Sequence, residues 1–164
     1  MFIKRYEQYV FFEVGASPLH LPGTFPGCPL FYMDGSKVKG GFYFECVWFV
    51  GPTSEKDCFK PHYHDFDEYV GMVGSNANCP QDLGGEVEFW IEDEKYIITK
   101  SCIIFIPKGV SHTPVIIRKL HRPILFFSMA PVEKYTLHVS NDPRWSHLKD
   151  PPKTYSNKAY NCSH

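Results

Sequence analysis

The chain has 164 residues, with 18 acidic side chains against 17 basic ones and a formal net charge of −1. Because phosphate binding needs a basic face, this balance gives no reason to expect a nucleic-acid partner. The length suits one domain with a buried core. Aromatic residues form 16% of the chain, and 14 prolines with 12 glycines indicate many turns, so we predict an all-β fold.

No apolar run approaches the length of a membrane span, and the N-terminus lacks the apolar stretch of a signal peptide. We therefore expect no membrane partner. The cysteines are scattered without a C-x-x-C pair or zinc-finger spacing, at Cys28, Cys46, Cys58, Cys79, Cys102 and Cys162. Disulfides would require export, so we expect free thiols and a cytoplasmic location.

The first predicted elements are an aromatic segment, an arm and a strand. Residues 2–14 fit either an edge strand or a short helix, whereas residues 15–29 are rich in proline and glycine and predict irregular structure. Residues 42–50 predict a strand between Gly40-Gly41 and Gly51-Pro52. Alternation leaves open which face of this strand points inward. An inward Glu45 is a candidate general base, and an outward Glu45 is a solvated surface residue.

A group of potential metal ligands comes next. His62 and His64 are two residues apart, so they point to the same side of an extended chain. Glu68 follows four residues later, and a bend or bulge would return its carboxylate to that side. Imidazole and carboxylate together suit a divalent first-row metal. The alternative is a surface strand with two solvated histidines.

The middle of the chain predicts a loop and a hairpin. Residues 75–83 are polar and predict an exposed loop, either a lid or a variable insertion. Residues 86–91 and 95–99 predict a hairpin around a charged turn. Its Glu86, Glu88 and Trp90 either line a cavity or lie on a solvated outer face.

The second half of the chain carries a third histidine. Residues 101–106 predict a buried strand, and a turn at Pro107 and Gly109 separates it from His112. Strand parity after His112 places Arg118 inward, where it would suit a carboxylate-bearing substrate, and a surface position is the alternative. Residues 123–129 predict a last core strand, followed by a polar tail.

The two histidine segments resemble the paired motifs of the cupin superfamily, over about residues 40–130. The matching residues, in chain order, are His62, His64, Glu68, Gly74, Pro107, Gly109 and His112. Four positions depart from the family pattern, and one of them is Gly74, which comes one residue earlier than the family's glycine. Lys56 and Ser101 stand where the motifs open with glycine, and Ile116 replaces the usual asparagine.

The resemblance implies one cupin-type β-barrel, a jelly-roll-like double-stranded β-helix, forming a single domain over residues 1–164. Its core would span about 40–130, with irregular arms at 1–39 and 131–164. The implied metal ligands are His62, His64, Glu68 and His112. The implied cofactor is a divalent transition metal, with Fe(II) leading and Mn, Ni, Zn or Co as alternatives. Cupins commonly dimerise, and the aromatic first segment would otherwise be exposed, so we expect a homodimer.

Four protein ligands leave a six-coordinate metal two open positions, which favours an enzyme over a closed structural site. The leading prediction is a metal-dependent oxidoreductase of the dioxygenase type that acts on a small organic molecule. A redox-neutral isomerase, decarboxylase or lyase is the alternative, and it needs an inward acid or base such as Glu45 or Tyr43. The third hypothesis is a non-enzymatic module that binds a small molecule.

Overall fold

The computed structural model describes residues 5–12, 15–16, 26–151 and 158–159. Within them lie twelve β-strands and three short 3-10 helices, at Glu7–Tyr9, Glu55–Asp57 and Pro143–Trp145, and no α-helix. The strands are β1 (Gly15–Ala16), β2 (Gly27–Met33), β3 (Tyr43–Phe49), β4 (His62–Tyr63), β5 (Glu68–Gly74), β6 (Asp82–Ile91), β7 (Glu94–Lys100), β8 (Cys102–Ile106), β9 (His112–Leu120), β10 (Ile124–Ala130), β11 (His138–Val139) and β12 (Lys158–Ala159). The all-β prediction is confirmed.

Ten of these strands form two antiparallel sheets. The first sheet has the order β2-β3-β10-β5-β8, and the second sheet has the order β11-β4-β9-β6-β7. From β3 to β6 the chain crosses to the other sheet at every step, which is the jelly-roll pattern expected from the cupin motifs. The predicted barrel takes the form of two separately hydrogen-bonded sheets, while β1 and β12 pair in a ribbon of their own.

The larger of two apolar clusters among the described residues lies between the two sheets. Its buried members are Val47, Phe49, Val70, Met72, Leu83, Val87, Phe89, Ile106, Ile117, Ile124 and Phe126. Because side chains alternate along a strand, inward Val47 and Phe49 carry Glu45 inward on β3. In the same way, Ile124 and Phe126 carry Ser128 inward on β10. Core packing therefore decides the facing that the sequence of β3 leaves open.

The predicted strands agree with the structure within a few residues, with a correction at each arm. In the C-terminal arm, also predicted to be irregular, β11 pairs with β4, and the other correction concerns the N-terminal arm. The arm was predicted to be irregular, but β2 pairs with β3 at the edge of the first sheet. Pro29 lies within β2, where the register shifts between Pro29 and Phe31. An edge strand tolerates a proline because one row of its N–H groups has no partner strand. The predicted loop at 75–83 begins after β5 and ends where β6 starts.

The C-terminal segment covers part of the outer face of the second sheet. Trp145 is buried, and its ring meets that of Trp90 on β6 at 5.0 Å between centroids. Arg118 on β9 lies 2.9 Å from Glu88 Oε2 and 3.0 Å from Glu55 Oε1. The predicted polar tail therefore packs over the second sheet at Trp145.

The outer face of the first sheet is apolar and accessible by contrast. Ile103 and Phe105 on β8 are 62% and 50% exposed, and Tyr69 on β5 is 41% exposed. The described cysteines are free thiols, as predicted, and Cys162 lies outside the described residues. No described helix is long and apolar enough to cross a membrane.

Candidate metal centre

Three imidazoles converge between the sheets. His62 on β4 and His112 on β9 are cross-strand partners in the second sheet, and His64 follows β4 directly. Their ring centroids are 4.6 to 5.1 Å apart. One ring nitrogen from each lies within 4.8 Å of the others, and all three side chains are buried. The structure thus brings the three predicted histidines together.

Glu68 approaches the same point from the opposite sheet. It opens β5 in the first sheet, after residues 65–67 have crossed from the second sheet. Its Oε2 atom lies 2.9 Å from His112 Nε2 and 3.3 Å from His64 Nε2. We expected a bend or bulge to return this carboxylate. The chain achieves the same result by changing sheets, which turns the inner face of β5 towards the histidines.

The second nitrogen of each imidazole has a polar neighbour. His64 Nδ1 lies 2.6 Å from the carbonyl oxygen of Thr136, and His112 Nδ1 lies 3.2 Å from that of Val110. A carbonyl oxygen only accepts hydrogen bonds, so in a neutral ring Nδ1 carries the proton. His62 Nδ1 faces the Thr113 hydroxyl at 3.4 Å. This arrangement directs the Nε2 lone pairs of His64 and His112 to the centre, as metal-binding histidines require.

The ionisation of the site favours cation binding. Burial is the largest cause that lowers the pKa of His62 well below its usual value, and the neighbouring His112 and His64 add to it. Burial alone would raise the pKa of Glu68, but hydrogen bonds from the His112 and His64 imidazoles, and their charge when they are protonated, outweigh it and hold that pKa well below its ordinary range. A divalent cation that binds there would take the place of those protons and leave neutral imidazoles beside an ionised carboxylate, which is the ligand form that it needs.

The donor set fits the predicted metal. Glu68 Oε2 is buried without a hydrogen bond of good geometry, although two imidazole nitrogens stand close to it. A buried carboxylate oxygen in such surroundings is costly unless a cation compensates it. Three imidazole nitrogens and one carboxylate oxygen are a donor set for Fe(II), Mn, Ni, Zn or Co.

Two further residues contact this group and were missed from the sequence. Ser128 Oγ donates a hydrogen bond to Glu68 Oε1, which leaves Oε2 directed at the histidines. Tyr135 has its hydroxyl 3.1 Å from His64 Nε2 and 3.4 Å from His62 Nε2. Ser128 could have been predicted, because it is a polar residue at an inward position of the otherwise apolar strand β10. Tyr135 follows the last core strand, where no periodicity places a side chain.

A cavity of about 80 Å³ adjoins the histidines and is lined by Glu45, His62, Glu68, His112 and Tyr135 among others. Glu45 is buried and lies on the cavity side of β3, so the inward alternative holds for it. Tyr43, the other acid or base considered, is buried against the Tyr135 ring, with 4.2 Å between centroids.

Tyr135 also lines a larger outer groove of about 970 Å³ together with Tyr32, Tyr63 and His138. The inner cavity and the outer groove therefore meet at this side chain. None of residues 75–82 lines the inner cavity, which favours a variable insertion over a lid for that loop.

Arg118 lies on the outer face, which is the surface alternative, and not at the inward position that strand parity alone gives. His112 pairs with Ile91, and Val115 pairs with Phe89. The two pairs are three residues apart on β9 but only two residues apart on β6, so the register shifts between them. This irregularity reverses the parity, turns Val115 inward and sends Arg118 to the outer face.

The hairpin residues Glu86, Glu88 and Trp90 also face outward, opposite the buried Val87 and Phe89. Glu88 is not solvated there, because Arg118 and Trp90 both donate hydrogen bonds to its carboxylate. The outer-face alternative therefore holds for the hairpin, with a buried network in place of free water contact.

Comparisons with known proteins give similarity to solved structures only. No family model matches the chain, and no curated protein matches it in sequence. DMSP lyase DddQ from Ruegeria pomeroyi DSS-3 is 16% identical over 62% of this chain and 44% of its own, with a TM-score of 0.41. An oxalate oxidase in complex with the substrate analogue glycolate is 14% identical over 74% of this chain and 57% of its own, with a TM-score of 0.47.

An RmlC-like cupin from Shewanella frigidimarina NCIMB 400 is 16% identical over 66% of this chain and 77% of its own, with a TM-score of 0.40. The matched region is less than two thirds of the lyase and of the oxidase. The chain's own features agree with the cupin motifs: two antiparallel jelly-roll sheets with a histidine cluster between them.

Proposed function

We propose that this protein is a metal-dependent enzyme that acts on a small organic molecule. The observation that carries the proposal is the convergence of His62, His64 and His112 with Glu68 at the wall of an internal cavity. When bound, a divalent metal supplies a Lewis acid that polarises a substrate oxygen, and iron in addition supports chemistry with dioxygen. The four side chains would hold it, and the adjoining cavity would hold the substrate.

A redox-neutral isomerase, decarboxylase or lyase reaction is the finer function that we favour. It needs a proton acceptor beside the substrate, and Glu45 lines the cavity from the first sheet. Glu45 would accept a proton from the substrate, while the Tyr135 hydroxyl on the histidine side is placed to donate one. The apolar residues around Glu45 and Tyr135 would lower the local dielectric constant, which strengthens hydrogen bonds and charge interactions with the substrate.

Oxidation with dioxygen, the leading prediction from the sequence, remains the second candidate. It is supported by the apolar part of the cavity wall, where Val70, Phe89 and Phe126 lie close to His112 and Glu68. Such a wall suits an apolar gas and a substrate with little polar surface. The donor set supports this candidate equally well, since imidazole and carboxylate are ligands of Fe(II).

The first experiment is metal analysis of the protein purified without added metal, beside His112→Ala as a control. One equivalent of a transition metal in the wild type, absent in the variant, is the expected result. Turnover of a panel of small organic compounds is then compared in air and under argon. Equal rates support the redox-neutral reaction, and dependence on dioxygen supports the oxygenase. A wild type that retains no metal on dialysis against micromolar metal contradicts the proposal.

We also propose that the protein is a homodimer. The outer face of the first sheet exposes Tyr69, Val73, Ile103, Phe105 and Met129, each by 37% or more. Five strands at about 4.8 Å spacing and seven residues at about 3.3 Å give roughly 550 Å² for such a face. A standard interface buries about 800 Å² per partner, and sheets of this shape pack face to face.

The aromatic N-terminal segment would add to this area. Tyr6, Tyr9 and Phe12 are 59%, 64% and 85% exposed, so they do not cap the chain's own core. Sedimentation equilibrium tests the proposal with Ile103→Lys, for which we expect a monomer. Ile97→Lys on exposed β7 of the second sheet is the matched control and should remain dimeric. A monomeric wild type at about 50 µM would refute the proposal, because a dimer with a micromolar dissociation constant is well populated at that concentration.

A further inference from the structure

The inner cavity is small. Its volume is about 80 Å³. One water-sized atom needs ~10–15 Å³ of cavity volume on the same measure, so the cavity holds about five to eight heavy atoms. Val70, Phe89 and Phe126 form an apolar part of its wall. These side chains belong to the packed core, so enlarging the cavity would disturb the contacts between the sheets.

The charge of the cavity wall is unusual for a site that takes organic acids. None of the described residues that line it is a lysine or an arginine. Its ionisable groups outside the four candidate ligands are Glu45, Cys58 and Tyr135. Arg118, the described arginine nearest in sequence to the lining residue Val115, is bound to Glu55 and Glu88 on the outer face.

The thiol of Cys58 does not alter this balance. Burial raises its pKa to about 11, so the thiol is protonated and neutral at physiological pH. Its Sγ atom lies 3.3 Å from the carbonyl oxygen of Val115, which only accepts hydrogen bonds. Glu45 is therefore the carboxyl group in the part of the wall that would face a substrate away from the metal.

We propose that the cavity selects neutral or cationic molecules of about five to eight heavy atoms and disfavours dianions, with Glu45 as the specificity-determining residue. The inference rests on the proposed function, because the substrate would be held between the metal and Glu45. A carboxylate group at the metal end is tolerated by a divalent cation. A second carboxylate would lie in a low-dielectric cavity near Glu45, without a described basic side chain to compensate it.

Isothermal titration calorimetry with three small probes tests the proposal on the Zn-loaded wild type and on Glu45→Gln. Oxalate is a dianion, oxamide is its neutral counterpart with the same number of heavy atoms, and ethanolamine is a cation. We expect Glu45→Gln to tighten oxalate binding by about tenfold or more, to leave oxamide within about twofold, and to weaken ethanolamine by about fivefold, since close charges inside proteins interact strongly. Each comparison is made within one probe, so differences in intrinsic chelation cancel.

Glu86→Gln is the matched control, because Glu86 lies on the outer face of β6 beside Lys119. It should leave all three affinities unchanged. Adipamide, the longer homologue of oxamide, should not bind. Unchanged oxalate and ethanolamine affinities in Glu45→Gln would overturn the charge preference, and adipamide binding as tight as that of oxamide would overturn the size limit. Zinc content is measured in the same samples, so loss of metal binding would be recognised separately as failure of the proposed function.

Discussion

The two sheets contribute different chemistry to one centre. The second sheet supplies the imidazoles of His62 and His112, whereas the first sheet supplies the carboxyl groups of Glu45 and Glu68 and the hydroxyl of Ser128. The chain crosses between the sheets after β4, so residues a few positions apart reach the centre from opposite sides. On the proposed function, metal binding would depend on both sheets, whereas the proton acceptor Glu45 would come from the first sheet.

The largest expected effect comes from removing an imidazole of the second sheet. His112→Ala should lower metal affinity by more than about 100-fold and abolish activity, since even changes beyond the ligands cost about 10- to 100-fold. Competition with a chromophoric chelator measures this affinity. His138→Ala, an exposed histidine of β11, is the matched control and should bind metal normally. Equal metal content in the two variants would show that His112 is not a metal ligand.

A change in the first sheet should separate catalysis from metal binding. Glu45→Gln is expected to reduce kcat by about 10²- to 10⁴-fold, the usual contribution of a general base, with unchanged metal content. Steady-state kinetics on any compound found to turn over, with Glu86→Gln beside it, measures the effect. A kcat within twofold of the wild type would show that Glu45 does not transfer the proton.

A smaller effect is expected from the residue that orients the carboxylate of the first sheet. Ser128→Ala removes the hydrogen bond to Glu68 Oε1 and should weaken metal binding by about 10- to 100-fold. Ser128→Thr keeps a hydroxyl and should recover part of the loss. If the alanine variant binds metal as tightly as the wild type, packing alone orients Glu68.

The smallest effect concerns stability at the outer face of the second sheet. Burial would raise the pKa of Glu88, but hydrogen bonds from Arg118 and Trp90 outweigh it and lower that pKa below its ordinary value of 4.5. Glu88 therefore stabilises the fold above about pH 4.5, and this contribution is lost as the pH falls further. Glu88→Gln should lower the free energy of unfolding by about 1–2 kcal/mol at neutral pH.

Urea unfolding at several pH values measures this contribution. The difference between the wild type and Glu88→Gln should shrink steadily between about pH 5 and pH 3. Lys119→Gln removes the exposed ion pair with Glu86 and should change the free energy of unfolding by less than about 1 kcal/mol. A constant difference across this range would mean that Glu88 acts through packing and not through its charge.

Local patterns predicted most of the strands, because apolar alternation and turn residues are encoded by neighbouring residues. The three histidines were brought together by the resemblance to the paired cupin motifs, since each histidine segment alone is a weak signal. Long-range register was harder to predict. Strand parity alone gives the wrong facing for Arg118, because an irregularity between β6 and β9 reverses it and no local signal marks that irregularity. Tyr135 was missed because a residue outside the core strands is positioned by tertiary packing alone.

The position of β2 was missed for a related reason. Its proline and glycine content indicates irregular structure, and only its pairing with β3 at a sheet edge makes it a strand. The facing of Glu45 was open for the same reason, since it follows from which residues of β3 pack in the core.

Because the chain crosses between the sheets after His64, a metal at this centre would link two segments that are distant in sequence. Glu68 and His112 are 44 residues apart in sequence, and they belong to different sheets. An ion held by both would be a cross-link that closes this loop. Cross-linking a loop of that length reduces the entropy of the unfolded chain by an amount equivalent to roughly 4 kcal/mol in the chain-entropy model. Removal of the metal with a chelator would then lower the melting temperature, because the cross-link between the two sheets would be lost.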